Sequence, residues 1–396
     1  MIQRVYLDNA ATTCLDKRVL EAMYPYFTTV YGNASSLHTP GSQAKEILDR
    51  SRTQIAESVT AQKEEIVFTS GGTEANNFAL KGIAFANREK GNHIIVSSIE
   101  HDCILNTCKW LESQGFYISY LPVDSSGIVD LDILKRLINP KTLLVSVMHA
   151  NNEIGTIQPV EEIGLICRQN NVYFHSDACQ SFGKISIDVK KANVDLLTIN
   201  SHKIYGPKGI GALFIRKGTL ITPLLHGGGQ ESGYRSSTEN IPGIVGFAKA
   251  VEICMSEMEA EAKRQILLRK NLTDFLFKNF ENVYTNGHPE HRLPGLLNFS
   301  FHGFEGETIR LLFLLDENGI AVSAGSACSS NHGGGSSHVL KAIGLNQFEA
   351  RGAIRVSLSR YNTVEELNLF KNTLKQVTGS LTSIFTCDSL LAHNNH

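Results

Sequence analysis

Short apolar runs separated by stretches of helical length are what most constrain this chain, because a layered α/β architecture buries every one of them. The runs 65–68, 94–96, 143–147, 172–174, 196–199 and 211–215 are rich in Val, Ile, Leu and Phe. Runs of that length and composition read as buried strands. Helix-like spacing over 73–88, 102–114, 130–138 and 159–170 supplies the crossovers between them, so a largely parallel sheet is expected.

The texture changes after about residue 240. Lys, Arg and Glu interleave with Ile, Leu and Phe over 242–280, which reads as a linking helix pair leading to a second domain. Strands are expected at 295–301 and 353–358, and helices at 304–316 and 365–377, forming a smaller α+β domain. Ser380 to His396 reads as a frayed tail or a docking arm. The 396 residues suffice for two or three domains at roughly 100 to 200 residues each. No internal repeat or extended low-complexity tract interrupts them.

Charge and cysteine usage narrow the function class. The net charge of −2 contains no long block of either sign, so neither nucleic acid nor membrane is expected as the main partner. The amino-terminal residues lack an apolar secretion segment, and no run approaches the ~20 apolar residues of a membrane helix. A cytoplasmic protein is the expectation. The eight cysteines form no CxxC pair and no zinc-like cluster, which favours free thiols in a reducing compartment and no metal site.

Two polar groups stand where apolar strands run out into loops: Asp177 after 172–176 and Lys203 after 196–202. An open α/β sheet holds its ligand at such ends. A lysine amine and a carboxylate presented together suit pyridoxal phosphate, held as a Schiff base with its ring nitrogen paired to an acid. Taken singly, Lys203 reads as a solvated surface residue and Asp177 as a helix cap. The Gly206, Pro207, Gly209 and Gly211 that follow Lys203 point instead to a tight turn.

Thr69-Ser70-Gly71-Gly72-Thr73 leads from a strand into a helix, with free backbone N–H groups and the Thr73 hydroxyl available to a phosphate. The same turn caps many helices that bind nothing. It matches neither the Walker signature nor the dinucleotide fingerprint. Gln180 reads as a donor to the ring oxygen or as a polar residue on an early helical turn. His101 reads as a ring-stacking, proton-exchanging group or as a helix cap. Cys328 sits among Gly325-Ser326-Ala327 and Ser329-Ser330-Asn331, a polar setting unlike that of a core cysteine. A thiol there has a nucleophilic thiolate fraction at neutral pH.

Several segments together resemble the cysteine desulfurases, in the class V branch of the pyridoxal phosphate aminotransferase superfamily. They are Tyr6-Leu7-Asp8-Asn9-Ala10-Ala11-Thr12-Thr13, Tyr31-Gly32-Asn33-Ala34-Ser35-Ser36-Leu37-His38, Thr69 to Glu74, Ala150-Asn151-Asn152-Glu153-Ile154-Gly155 and His202 to Gly209. The match continues through Gly227 to Glu231, Gly325-Ser326-Ala327-Cys328 and Arg355 to Arg360, nearly the whole chain.

The resemblance implies aminotransferase fold type I, with a large mostly parallel-sheet domain and a smaller α+β domain. Residues 1–15 would join the small domain, 16–258 form the large cofactor-binding domain, 259–379 the small domain with the cysteine loop, and 380–396 a tail. It implies that Lys203 carries the cofactor, Asp177 pairs with the pyridine nitrogen, Gln180 contacts the phenolate oxygen and His101 stacks on the ring. Thr73, His202 and Asn200 match phosphate-site positions, and Thr238 one that reaches the phosphate of the other subunit of a homodimer. Asn152 and Arg355 match the groups that hold the carboxylate of L-cysteine, and Cys328 the thiol that becomes a persulfide and hands sulfur to an acceptor or iron–sulfur scaffold. Selenocysteine lyase and class V aminotransferase are the competing activities. Asn200 replaces a serine common in relatives, and Ser232 an arginine, which puts a local salt bridge in doubt.

Overall fold

The structure, a computed structural model, describes residues 4–324 and 336–393, with side chains through residue 381. The chain opens with β1 (Val5–Tyr6) and then supplies a large sheet from β2 (Ile66–Thr69), β3 (His93–Ser97), β4 (Tyr117–Leu121), β5 (Thr142–Ser146), β6 (Tyr173–Asp177), β7 (Leu196–Asn200) and β8 (Gly211–Ile215). The spatial order is β2-β8-β7-β6-β5-β3-β4. From β7 through β6, β5 and β3 to β4 every pairing is parallel, whereas β8 is antiparallel to both β2 and β7. The expected parallel sheet is thus interrupted once, because the β7–β8 connection is a turn with no crossover helix.

Strands β3, β5 and β7 are buried along their whole length, so both faces of the sheet are covered. Side chains alternate between faces. Ile94 and Val96 pack with Phe78, Leu80 and Ile83 of the Gly72–Ala86 helix, while Ile95 turns to the opposite core with Val145, Phe174 and Leu197.

The expected helix pair over 242–280 is one continuous helix, Ile241–Asn279, of 39 residues. No Gly or Pro lies between Phe247 and Asn279, so nothing there stops helical hydrogen bonding. Asn240 caps it by accepting from the Gly243 N–H at 3.1 Å. Its first part buries Ile244, Val245, Phe247 and Val251 against the large sheet. Leu268, Leu272 and Leu276, spaced four apart, face a second core.

That second core belongs to a four-stranded antiparallel sheet. It comprises β9 (Val283–Asn286) and β10 (Leu296–Phe301), then, beyond β11 (Ile320–Ala321), β12 (Ser323–Ala324) and β13 (Ala353–Ser357), in the order β12-β13-β10-β9. The Thr308–Glu317 helix and the final helix, Val364–His393, cover it through Leu311, Leu315, Leu367, Phe370 and Leu374. The final helix runs on to His393, into the segment that reads as a tail in the sequence. Strand β1 pairs in parallel with β11, Val5 opposite Ile320, so the start of the chain packs with its last third. Among the described residues, no helix is long and apolar enough to cross a membrane.

Candidate active site

A cavity of about 270 Å³ opens where the C-terminal ends of the parallel strands meet β13. It is lined by Thr73, His101, Asn152, Asp177, Gln180, Asn200, His202, Lys203 and Arg355, residues scattered over most of the sequence. The expected site residues are therefore brought together, with two exceptions. Thr238 is exposed and lies outside this cavity. Cys328 lies outside the described residues.

Asp177 is the last residue of β6 and is buried. Its Oδ1 accepts from the Cys179 N–H at 2.9 Å and its Oδ2 from Asn76 Nδ2 at 2.7 Å. The carboxylate is thus held from below by two donors.

Lys203 lies three residues beyond the end of β7, in a turn clamped by the amino-terminal segment. Both the N–H and the hydroxyl of Thr13 donate to the His202 carbonyl at 2.9 Å, and Thr13 Oγ1 accepts from the Tyr205 N–H at 2.8 Å. Gly206 permits this turn, since a Cβ there would lie 2.0 Å from Ser201 Oγ. His202 Nδ1 lies 3.1 Å from Thr12 Oγ1. Burial, aided by Lys203, depresses the His202 imidazole to about 4, so the ring is neutral at physiological pH.

The Gly72–Ala86 helix begins at the cavity, its first N–H groups unpaired within the helix. Thr73 stands at the rim, and Glu74 ties this start to distant chain by accepting from Ser70 N and pairing with Arg235 at 2.8 Å. Asn200 ends β7 with its Oδ1 buried and without a partner among the described residues. Gln180 Nε2 donates to the Ala10 carbonyl at 2.8 Å, and its Oε1 accepts from Lys184 Nζ at 3.3 Å. Burial lowers the Lys184 amine to about 7, with Lys203 nearby adding to the effect.

His101 caps the Asp102–Ser113 helix and also lines the cavity. Arg355, on β13, is almost fully buried. It donates through Nη1 to the Asn152 carbonyl and through Nη2 to Asp8 Oδ1, each at 2.8 Å, leaving Nε without a partner among the described residues.

Four contributors were not anticipated from the sequence: Asn76 beneath Asp177, Asp8 on Arg355, and the buried acids Glu100 and Glu153. Glu100 accepts from Ser97 Oγ at 2.6 Å and from the Met148 N–H at 2.7 Å, and burial pushes its carboxyl up to about 8. Glu153 accepts from Ser337 Oγ at 2.6 Å, and burial pushes it up to about 7. A signal was present: Glu100 directly precedes His101 and Glu153 directly follows Asn152. Ser232 is exposed, and the ion pair of its neighbourhood is made by Glu231, which Arg52 meets with two hydrogen bonds at 2.6 and 2.7 Å.

The family model for class-V aminotransferases matches residues 5–370. The chain belongs to that family. Among relatives of this class-V aminotransferase-family protein, the cysteine desulfurase IscS of Methanosarcina thermophila is 49% identical over 377 residues, 95% of this chain and 92% of that protein. A NifS-like protein of known structure superimposes with a TM-score of 0.89 at 41% identity, covering 95% of this chain and 100% of that one. The structure titled SspA in complex with cysteine gives 0.80 at 40% identity, over 90% and 99% of the two chains.

The residues present fit pyridoxal phosphate, the cofactor of this superfamily. A buried carboxylate with two donors behind it suits a protonated ring nitrogen. The start of the Gly72–Ala86 helix reaches the cavity with N–H groups unpaired within the helix, where a phosphate is favoured. An amine, an amide and an imidazole from Lys203, Gln180 and His101 line the space between.

Proposed function

We propose that this protein is a pyridoxal phosphate-dependent cysteine desulfurase, converting L-cysteine to L-alanine and leaving the sulfur on Cys328 as a persulfide for a protein acceptor in iron–sulfur cluster assembly. The observation that carries this reading is the convergence of Lys203, Asp177 and Arg355 on one cavity, in a chain 49% identical to a cysteine desulfurase.

Lys203 would carry the cofactor as a Schiff base, with Asp177 on the ring nitrogen and Gln180 on the ring oxygen. His101 would lie over the ring, and Thr73, Asn200, His202 and the Gly72–Ala86 helix start would hold the phosphate. When bound, pyridoxal phosphate supplies an electron sink conjugated to the substrate α-carbon. Arg355 and Asn152 orient the substrate carboxylate, for which a planar guanidinium is the suited partner. Lys203 Nζ would be the base that accepts the substrate α-proton. The Cys328 thiolate attacks the substrate sulfur; an S–S bond forms, the C–S bond breaks, its electron pair stays with carbon, and a proton delivered there completes alanine.

The ends of the segment that holds Cys328 support this role. Ser323 pairs with Arg355 in β12–β13, and Ser337 bonds Glu153, so both flanks are anchored to residues that line the cavity. Thr238, exposed in this chain, would serve the phosphate of a second copy in a homodimer with two composite sites.

The test is alanine and persulfide formation from L-cysteine by purified holoenzyme. Cys328→Ser should keep the visible absorbance of the bound cofactor and lose the persulfide, while Lys203→Ala should lose the covalent cofactor band. Persulfide formed by Cys328→Ser would assign the nucleophile elsewhere. Amino transfer to a keto acid without persulfide would make the protein an aminotransferase, and a strong preference for selenium would make it a selenocysteine lyase.

A further inference from the structure

We propose that Cys103 is a positioning residue for His101: its backbone N–H fixes which ring nitrogen carries the proton, and its thiol reinforces that choice and ties it to Asp177 through Asn76. The tautomer assignment stands on geometry, while its catalytic meaning rests on the desulfurase reading above.

The Cys103 backbone N–H donates to His101 Nδ1 at 3.2 Å. A backbone N–H only donates, so Nδ1 holds a lone pair and the neutral ring carries its proton on Nε2. Cys103 Sγ lies 3.1 Å from the same Nδ1. With Nδ1 an acceptor, the thiol is the donor in that contact. On its other side the sulfur accepts from Asn76 Nδ2 at 3.2 Å, and the second hydrogen of that amide goes to Asp177 Oδ2 at 2.7 Å.

Asn76 N–H to sulfur and S–H to Nδ1 run in one direction, and each donor polarises the next. Asp177 anchors the chain because its carboxylate fixes the orientation of the Asn76 amide. Burial, reinforced by Asp177, pushes the Cys103 thiol up to about 12, so it stays protonated and able to donate. The same shift makes it a poor nucleophile, which separates its role from that of a sulfur carrier.

The surroundings of His101 act in the same sense. Burial lowers its affinity for a second proton and Lys203 lowers it further, while Asp177 and Asp102 oppose this and His338 adds to it. A proton on Nδ1 would set N–H against both the Cys103 N–H and S–H. His101 is thereby kept neutral with Nε2–H as a proton donor toward the cavity.

The test compares wild-type holoenzyme with Cys103→Ala, which removes the donor, and Cys103→Ser, which keeps one. The ¹⁵N resonances of His101, assigned by their loss in His101→Gln, report tautomer and ionisation directly. Wild type should show an unprotonated Nδ1 and a protonated Nε2. In Cys103→Ala the His101 pKa should rise by roughly half to one unit, as loss of one neutral hydrogen bond requires. The acid limb of kcat should move the same way, and Cys103→Ser should restore both. If Cys103→Ala does not fold, Cys103→Val removes the donor at larger volume. Unmoved His101 nitrogen shifts in the variant without a donor overturn the proposal, as does lost activity without such movement, which is a purely structural effect. If wild type fails to turn over cysteine, the desulfurase reading fails, and the nitrogen shifts still decide the assignment of Cys103.

Discussion

A methyl group added to Gly72 would lie 2.6 Å from Cys179 Sγ, so the start of the Gly72–Ala86 helix and the segment that caps Asp177 are packed to contact. Gly72→Ala must displace that sulfur and, with it, the Cys179 N–H that holds Asp177. A loss of about 1 to 3 kcal/mol of stability is expected, typical of overpacking. Gly72→Ala/Cys179→Ala should recover most of it, because the next neighbours of the new methyl lie at 3.6 and 3.9 Å. Urea denaturation and cofactor titration of the three proteins measure this; a double variant no better than Gly72→Ala would refute the contact.

Arg355 is buried with Asp8 as its one ionic partner among the described residues. Asp8→Ala strands the guanidinium and should cost about 3 kcal/mol. Arg355→Lys keeps the charge and loses the planar fork, so the KM for L-cysteine should rise on the order of tenfold or more, with bound cofactor retained. Equal KM values for Arg355→Lys and wild type would place the substrate carboxylate elsewhere.

The Glu100 carboxyl keeps its proton in the folded protein up to about pH 8, whereas its ordinary value is 4.5. Its contribution to stability is therefore fully present below that ordinary value and is lost as pH rises through about 8. Glu100→Gln removes this titration and leaves a carbonyl oxygen to accept from Ser97 and Met148. Relative to wild type, the variant should gain stability progressively from about pH 5 to pH 8 and level off above. Urea midpoints across that range decide it, and parallel curves would mean that Glu100 folds ionised.

Arg52 meets Glu231 through two nitrogens and also donates to the Ile66 carbonyl at 2.7 Å, while Glu231 accepts from the Phe68 N–H at 2.8 Å. Arg52→Met leaves a buried carboxylate without its partner and should cost about 3 to 5 kcal/mol. Removing both charges in Arg52→Met/Glu231→Gln should cost less than the sum of the single changes. Additive losses would show that the pair is not coupled.

The strands of the large sheet were legible because burial on both faces demands near-continuous apolar runs, as within Thr142–Ser146 and Leu196–Asn200. The edge strand Tyr117–Leu121 was missed: Tyr117 and Tyr120 face solvent and Ser119 sits between, so no apolar run marks it. Strands of two residues, Val5–Tyr6 and Ile320–Ala321, carry no pattern and exist through each other. In the site, Lys203 and Asp177 could be found from their places after strands. Asp8 and Asn76 could not, since what they do depends on partners far away in the chain, Arg355 and Asp177.

The pairing of β1 with β11 also bears on how the molecule comes into being. The first strand leaves the ribosome long before its partner is made, and Asp8 waits for an arginine 347 positions later. The wall where Arg355 stands is thus absent from every nascent chain shorter than that, even one whose large sheet is already complete. Loading of the cofactor into a finished pocket is then a post-translational event, and truncation anywhere before β13 leaves the site open on one side.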